Sequence, residues 1–274
     1  MGFLTVDHDK CKRDRVCAAE CPMKLITFKE PDSFPGSVKG AEEICVSCGH
    51  CVAVCPNKAI SVSTVNTVEC LPINPDLLPK PEQVEHFLKS RRSIRSFKNK
   101  TVDRTILAKL IDIASYAPSG HNIQPVHWLV IEDKNEVHRI AGLVVDWTHY
   151  MIENMPEYAA LMHLEAICSA WDQGSDRICR DAPHIIIAHA PEDLSMSQGS
   201  CTIALSYLEL AAYSMGIGAC WAGYVGAAAG LYPPLIQELA LPEGHKAFGA
   251  MMIGHPKYRY HKIPPRTAPR IIWR

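Results

Sequence analysis

The chain has almost no net charge: across 274 residues, 28 Lys and Arg face 29 Asp and Glu. A balance of −1 sets up no global field for nucleic acid or for a membrane surface, so neither is expected as a partner. No signal-peptide pattern opens the sequence, and the expected compartment is the reducing cytoplasm, where disulfide frameworks are rare. Long apolar runs are also scarce. Residues Leu210 to Leu235 carry no charge and are numerous enough to span a bilayer. Five glycines (Gly216, Gly218, Gly223, Gly226, Gly230) and the pair Pro233-Pro234 interrupt them. Such breaks predict a buried helix, a turn and a buried strand instead of a membrane span. The Gly-rich dinucleotide fingerprint is missing too, because no third glycine and no later acidic residue follow Gly216 and Gly218 in register.

Cysteine is plentiful. Seven of the twelve lie before residue 56, which in a reducing compartment points to metal. Residues Cys45 to Pro56 read C-x2-C-x2-C-x3-C-P, the spacing with which bacterial ferredoxins hold iron–sulfur clusters. Three thiolates on one tight loop reach three corners of a small cluster. The fourth corner must be met from elsewhere.

A shift of 34 residues nearly repeats this stretch. Cys11, Cys17, Cys21 and Pro22 fall on Cys45, Cys51, Cys55 and Pro56, and Lys24-Leu25-Ile26-Thr27 falls on Lys58-Ala59-Ile60-Ser61. Such a period marks two copies of one supersecondary unit. One position breaks it: Asp14 stands where Cys48 stands in the second copy. Residues 3 to 65 resemble a two-cluster bacterial ferredoxin domain. Crossed ligation then assigns Cys11, Asp14, Cys17 and Cys55 to one cluster, and Cys21, Cys45, Cys48 and Cys51 to the other. Two [4Fe–4S] clusters are expected. The one at Asp14 holds its corner iron less firmly if the harder carboxylate is its ligand, and is a [3Fe–4S] cluster if Asp14 stays in solvent. Cys70 is read as a structural thiol. Residues 1 to 70 hold eight Lys and Arg and nine Asp and Glu, which suits a wire within one polypeptide better than a strongly acidic free carrier.

Prolines at 72, 75, 79 and 81 predict a stiff linker. A short helix over Glu82 to Lys89 follows, with Val84, Phe87 and Leu88 on one face. It leads into Arg91-Arg92-Ser93-Ile94-Arg95-Ser96-Phe97, where guanidinium forks and hydroxyls suit a phosphate. Asp103 caps an amphipathic helix with Ile106, Leu107, Leu110, Ile111 and Ala114 on one stripe. This helix stops at the polar loop Ala117-Pro118-Ser119-Gly120-His121-Asn122-Ile123-Gln124-Pro125, before a strand from His127 to Glu132. A strand over His184 to Ala190, an apolar helix over Ser197 to Met215 and a strand over Ala247 to Ile253 complete the pattern. Cys168, Cys179, Cys201 and Cys220 lack ligand spacing and read as buried small residues.

The Arg91–Phe97 segment, the Pro118–Pro125 loop, Gly216-Ile-Gly-Ala-Cys-Trp-Ala-Gly223 and Gly254-His-Pro, leading to Pro265-Arg266, together resemble the nitroreductase family of FMN enzymes over residues 83 to 270. The resemblance implies an α+β chain. It has a two-cluster ferredoxin-like domain (1–70), a proline-rich linker (71–81) and an FMN domain with a central, mostly antiparallel sheet surrounded by helices (82–274). It puts Arg91, Arg92, Ser93 and Arg95 near the FMN phosphate and ribityl chain, with Arg266 reaching the same phosphate. Ser119, Asn122 and Gln124 line the flavin, and the backbone of Ala222 and Gly223 approaches its N5 edge. The region Val144 to Arg180, with Trp147, Tyr150, Tyr158, His163, Trp171 and Arg177, shapes the substrate pocket or packs a helix. The implied protein is a homodimer that reduces a small nitro, quinone or enone compound with electrons from its clusters. A reduced ferredoxin or NAD(P)H is the donor. No side chain stands out as a general acid. Reductive dehalogenation, dehydrogenation and a non-catalytic redox relay are the alternatives.

Overall fold

The computed structural model describes residues 2–274 and divides into two compact units, one of residues 2–79 with 121–123, the other of residues 80–120 with 124–274. The first unit runs β1 (Leu4–Val6), α1 (Val16–Glu20), β2 (Ile26–Thr27), β3 (Gly36–Ser37), α2 (Ala41–Ile44), α3 (His50–Ala53) and β4 (Ile60–Val62). β1 pairs antiparallel with β4, and β2 with β3. The 34-residue repeat is visible in the backbone itself. Arg13, Arg15 and Lys24 have φ of 59°, 65° and 53°, and their equivalents Ser47, Gly49 and Lys58 have 51°, 70° and 53°. Side chains at Arg13, Arg15 and Ser47 tolerate this left-handed region only at a cost. The same loop geometry has therefore been kept in both copies. Leu25, Ile26, Ala41 and Ile60 form a small core with Cys17 and Cys21. Cys70 is exposed, its Sγ 3.5 Å from the Asn66 carbonyl, and belongs to no core.

The second unit comprises α4 (Pro81–Ser90), α5 (Arg104–Ala114), β5 (His127–Ile131), α6 (Lys134–Asn154), α7 (Pro156–Leu161), α8 (Leu164–Asp172), β6 (His184–Pro191), α9 (Ser197–Ser214), β7 (Gly218–Trp221), α10 (Gly223–Leu231), α11 (Pro233–Leu239) and β8 (His245–Gly254). Asp103 caps α5 by accepting from the Thr105 amide at 2.8 Å. The four long-range strands form one sheet in the order β5-β6-β8-β7, antiparallel throughout. Both faces are covered. Ile185, Ile187, Ala250 and Met252 pack with Val144, Trp147, Leu164 and Val225 on one side. Ile186, Ala188, Met251 and Ile253 pack with Leu107, Leu110, Leu205 and Leu208 on the other. A strand buried on both faces has no polar side to show, and β6 therefore reads His-Ile-Ile-Ile-Ala without alternation.

The Leu210–Leu235 stretch departs from the sequence expectation. Gly216, at φ 70°, ends α9 and β7 follows, but a further helix, α10, then forms at Gly223. Its Gly226-Ala-Ala-Ala-Gly230 segment lacks branched side chains, and a Cβ at Gly226 would sit 4.0 Å from the Gly249 Cα on β8. Small residues let this helix lie close on the sheet, and that closeness is a tertiary demand that no helical stripe announces.

Gly254 fixes how the segment after α4 meets the sheet. A Cβ there would lie 2.7 Å from Pro183 Cδ and 2.8 Å from Phe97 Cδ1, and Phe97 bridges to Pro256. Gly254→Ala should destabilise the protein by about 1–3 kcal/mol through overpacking, measured as a lowered thermal midpoint. An unchanged midpoint would show that Phe97 is free to move.

Candidate functional site

In the first unit seven cysteines and Asp14 gather as two sets, one of four cysteines and one of three cysteines with Asp14. Cys21, Cys45, Cys48 and Cys51 line one apolar hollow with Leu25, Ile26 and Val62. Burial, then the neighbouring thiols of Cys21 and Cys48, pushes the Cys51 thiol up to about 11. The Cys17 thiol is likewise raised, first by burial and then by Cys55, Asp14 and Cys11. Each tetrad thus contains one residue carried over from the other repeat. Two equivalent amides point at the crossing sulfurs: Leu25 N lies 3.3 Å from Cys21 Sγ, and Ala59 N lies 3.3 Å from Cys55 Sγ. Several thiolates in so close and buried a group would repel one another. A cation bound among them offsets that charge, so thiolate-loving iron fits the set. Asp14 occupies the backbone position of Cys48, between residues with matching positive φ. It is exposed, and its Oδ1 accepts from the Val16 amide at 3.3 Å.

In the second unit three distant stretches of sequence meet. Ile94 N donates to Ala219 O at 2.9 Å, Lys98 N to His255 O at 2.8 Å and Lys257 N to Ser96 O at 2.9 Å. The 91–98 segment therefore runs beside the start of β7 and the residues just after β8. These pieces border a cavity of about 530 Å³ whose lining includes Arg91, Arg92, Lys98, Lys257, Arg259 and Lys262 against a single carboxylate, Glu209. Two guanidinium groups there differ in use. Arg91 Nη1 is 2.7 Å from Glu209 Oε1, both side chains mostly buried (23% and 11% exposed). Arg92 donates to the carbonyls of Arg91 and Lys89, and its Nε is buried without a partner. Arg92 makes no ion pair among the described residues, so its charge is left to favour an anion in the cavity.

The nitroreductase family model matches residues 88–255. The chain belongs to the nitroreductase family. A 4Fe–4S dicluster domain matches residues 9–59. The FMN reductase [NAD(P)H] of Bacillus subtilis (strain 168) is 28% identical over 187 residues, 66% of this chain and 69% of that protein. The ferredoxin of Methanothermococcus thermolithotrophicus is 38% identical over 61 residues, 22% of this chain and 95% of the ferredoxin. Among solved structures, the fold matches a nitroreductase with bound FMN from Desulfitobacterium hafniense DCB-2 at a TM-score of 0.56 and 24% identity, over 71% of this chain and 99% of that one.

This nitroreductase-family chain brings together only part of the expected flavin set. Ser93 and Arg95 do not line the cavity. Both act on Cys220 of β7, whose thiol is raised by burial and held back by Arg95, Arg180 and Ser93. Ala222 is buried and its backbone is already engaged, its N–H donating to Ala250 O and its carbonyl accepting from Gly226, each at 2.9 Å. Gly223 starts α10, which has no side-chain cap, and a Cβ there would meet nothing within 4 Å. Neither packing nor a positive φ within the chain asks for glycine at 223.

The 117–125 loop is elsewhere in the chain. Ser119 Oγ accepts from Gln124 N at 2.9 Å, and both residues line a small separate hollow with Trp128 and Ser200. Asn122, which groups with the first unit, donates from Nδ2 to Ser47 O at 3.0 Å. His121, Asn122 and Gln124 all have φ between 51° and 54°, a local cost that folds keep when a loop has a task. Arg266 is exposed in the segment after β8, where there is neither helix nor strand.

Sequence reading missed Lys98, Lys257, Arg259 and Glu209. A signal for the later cations was present: residues 255–274 hold six Lys and Arg and no Asp or Glu. For Glu209 there was none, since it sits alone in the apolar helix α9.

Proposed function

We propose that this FMN oxidoreductase receives electrons singly through two iron–sulfur clusters and delivers them in pairs to a small oxidised acceptor such as a nitroaromatic, quinone or enone. The basic cavity where three family motifs converge carries this reading. Bound clusters exchange one electron at a time, whereas bound FMN exchanges one or two. The chain's own residues supply the rest. Arg92, with its unpartnered Nε, and the flexible cations Lys98, Lys257 and Arg259 neutralise a phosphate at the cavity wall. Arg91, locked to Glu209, shapes that wall more than it binds. The uncapped amides at the start of α10 and the open space at Gly223 would be available to the flavin ring. The working unit is a homodimer, and since Ser119 and Gln124 border a hollow other than the basic cavity, they and Asn122 are assigned to a second copy's flavin site. In the first unit Cys11, Cys17 and Cys55 would hold the first cluster, with Asp14, one carboxylate oxygen of which is engaged by the Val16 amide, as its fourth ligand. Its iron is the more easily lost.

Purified without oxygen, the protein should contain one FMN and two clusters per chain by flavin and iron analysis. Its flavin should be reduced by reduced ferredoxin and reoxidised by a nitroaromatic or a quinone. FAD in place of FMN, or a flavin that neither acceptor reoxidises, would count against the reading. Reduction by NADPH alone would leave the enzyme intact and remove ferredoxin as the donor.

A further inference from the structure

At the far end of the sheet three imidazoles meet that the flavin chemistry does not use. His127 starts β5 and lies directly opposite His189 of β6 in the strand register. His245 starts β8. The ring centroids are 5.5 Å apart for His127 and His189, 4.9 Å for His127 and His245, and 5.1 Å for His189 and His245. The Nδ1 atoms of His189 and His245 face each other at 3.0 Å.

Backbone irregularity creates this meeting. Between Ala188 and His189 the β6–β8 register shifts, Ala188 pairing with Gly249 but His189 with Ala247. In an unbroken ladder His189 would oppose Phe248, and His245 would fall on the opposite face, because side chains alternate along a strand. The bulge at Phe248 turns His189 and His245 to one face, together with His127. Bulges of this kind commonly re-aim a side chain beside a site.

We propose that His127, His189 and His245 form a binding site for a divalent transition-metal ion, separate from the clusters and from the basic cavity. β8 runs ten residues from His245 to Gly254 at the cavity end, roughly 30 Å at about 3.3 Å per residue. Imidazole nitrogens suit zinc, nickel and copper. Tetrahedral ligands about 2.0–2.1 Å from such an ion stand roughly 3.3 Å apart, so the His189–His245 pair is a ligand edge that needs to open by only a few tenths of an ångström. Among the described residues no point already lies within reach of three such donors. His127 is exposed and completes the set by turning about its side-chain bonds. A cavity of about 470 Å³ bordered by His245, Lys246 and Glu192 gives a hydrated ion its way in. Without an ion, one shared proton between His189 and His245 would satisfy that pair, and His127 would have no part in it.

The untagged, cluster-loaded full chain, titrated with Ni²⁺ in a calorimeter under anaerobic conditions, should bind one ion per chain. His245→Gln and His127→Gln should each weaken uptake roughly tenfold or more, since even supporting residues of a metal site change affinity by 10–100-fold. Both variants should keep the visible spectrum of the parent, which shows that the fold and cofactors are intact. Absence of saturable uptake, uptake equal to the parent in both variants, or full affinity in His127→Gln would each overturn the three-histidine site.

Discussion

Cys21→Ser should leave the protein with one cluster, its iron content falling from about eight to about four per chain. Cys21 is the single member of its tetrad that comes from the first repeat. It is 8% exposed and lines the same hollow as Cys45, Cys48 and Cys51. A serine hydroxyl is harder and far less acidic than a thiol, and it is a poor ligand for iron. Reduction of the flavin by reduced ferredoxin should fall to the background rate, while dithionite should still reduce it. FMN content should stay the same, because the basic cavity is built from other residues. The matching change Cys55→Ser should remove the other cluster. Full iron in both variants would overturn the crossed assignment of ligands. Normal ferredoxin-driven reduction with half the iron would show that the lost cluster is not on the electron path.

The second large effect concerns Glu209→Ala. Glu209 lies in the middle of α9, with its side chain 11% exposed and bonded to Arg91. Removing one partner leaves a guanidinium desolvated beside an apolar helix, a loss of about 3–5 kcal/mol. For a unit of this size that corresponds to a fall in the thermal midpoint of roughly 10 °C. Removing both charges with Arg91→Met and Glu209→Leu should cost much less, since apolar packing replaces the pair. FMN affinity then separates two roles for Arg91. If the double variant keeps FMN, Arg91 serves the wall and the phosphate belongs to Arg92 and the later cations. If it loses FMN while remaining folded, Arg91 itself touches the phosphate.

What could be read from the chain alone was local. The spacing of Cys45, Cys48 and Cys51 and its echo 34 residues earlier are properties of one loop, and the structure repeats them down to the positive φ values beside Asp14 and Cys48. The α5 stripe with its Asp103 cap, and the all-apolar α9, were equally legible because helix period and capping act within a few residues. The α+β class with its antiparallel sheet was implied by the resemblance of the motifs to the nitroreductase family. Helix α10 was not legible, since the closeness of Gly226 to Gly249 on β8 is a tertiary contact that no local pattern announces.

Other features were settled by which strands and segments became neighbours. Arg91 and Glu209 are 118 residues apart, and nothing near either one names the other. The pairing of Ser96 with Lys257, and of Lys98 with His255, turns two unremarked basic stretches into one cavity wall. A single extra residue at Phe248 sends His189 and His245 to the same face. Sequence alone determined the cysteine spacing with its 34-residue echo and the main helices, because covalent spacing and periodic burial are written within a few turns of chain, and the resemblance of its motifs indicated the family. Tertiary structure alone decided which charges are neutralised, which donor is left unpaired and which imidazoles meet, because those depend on sheet register, and one residue of slip in a register changes the face of every side chain beyond it.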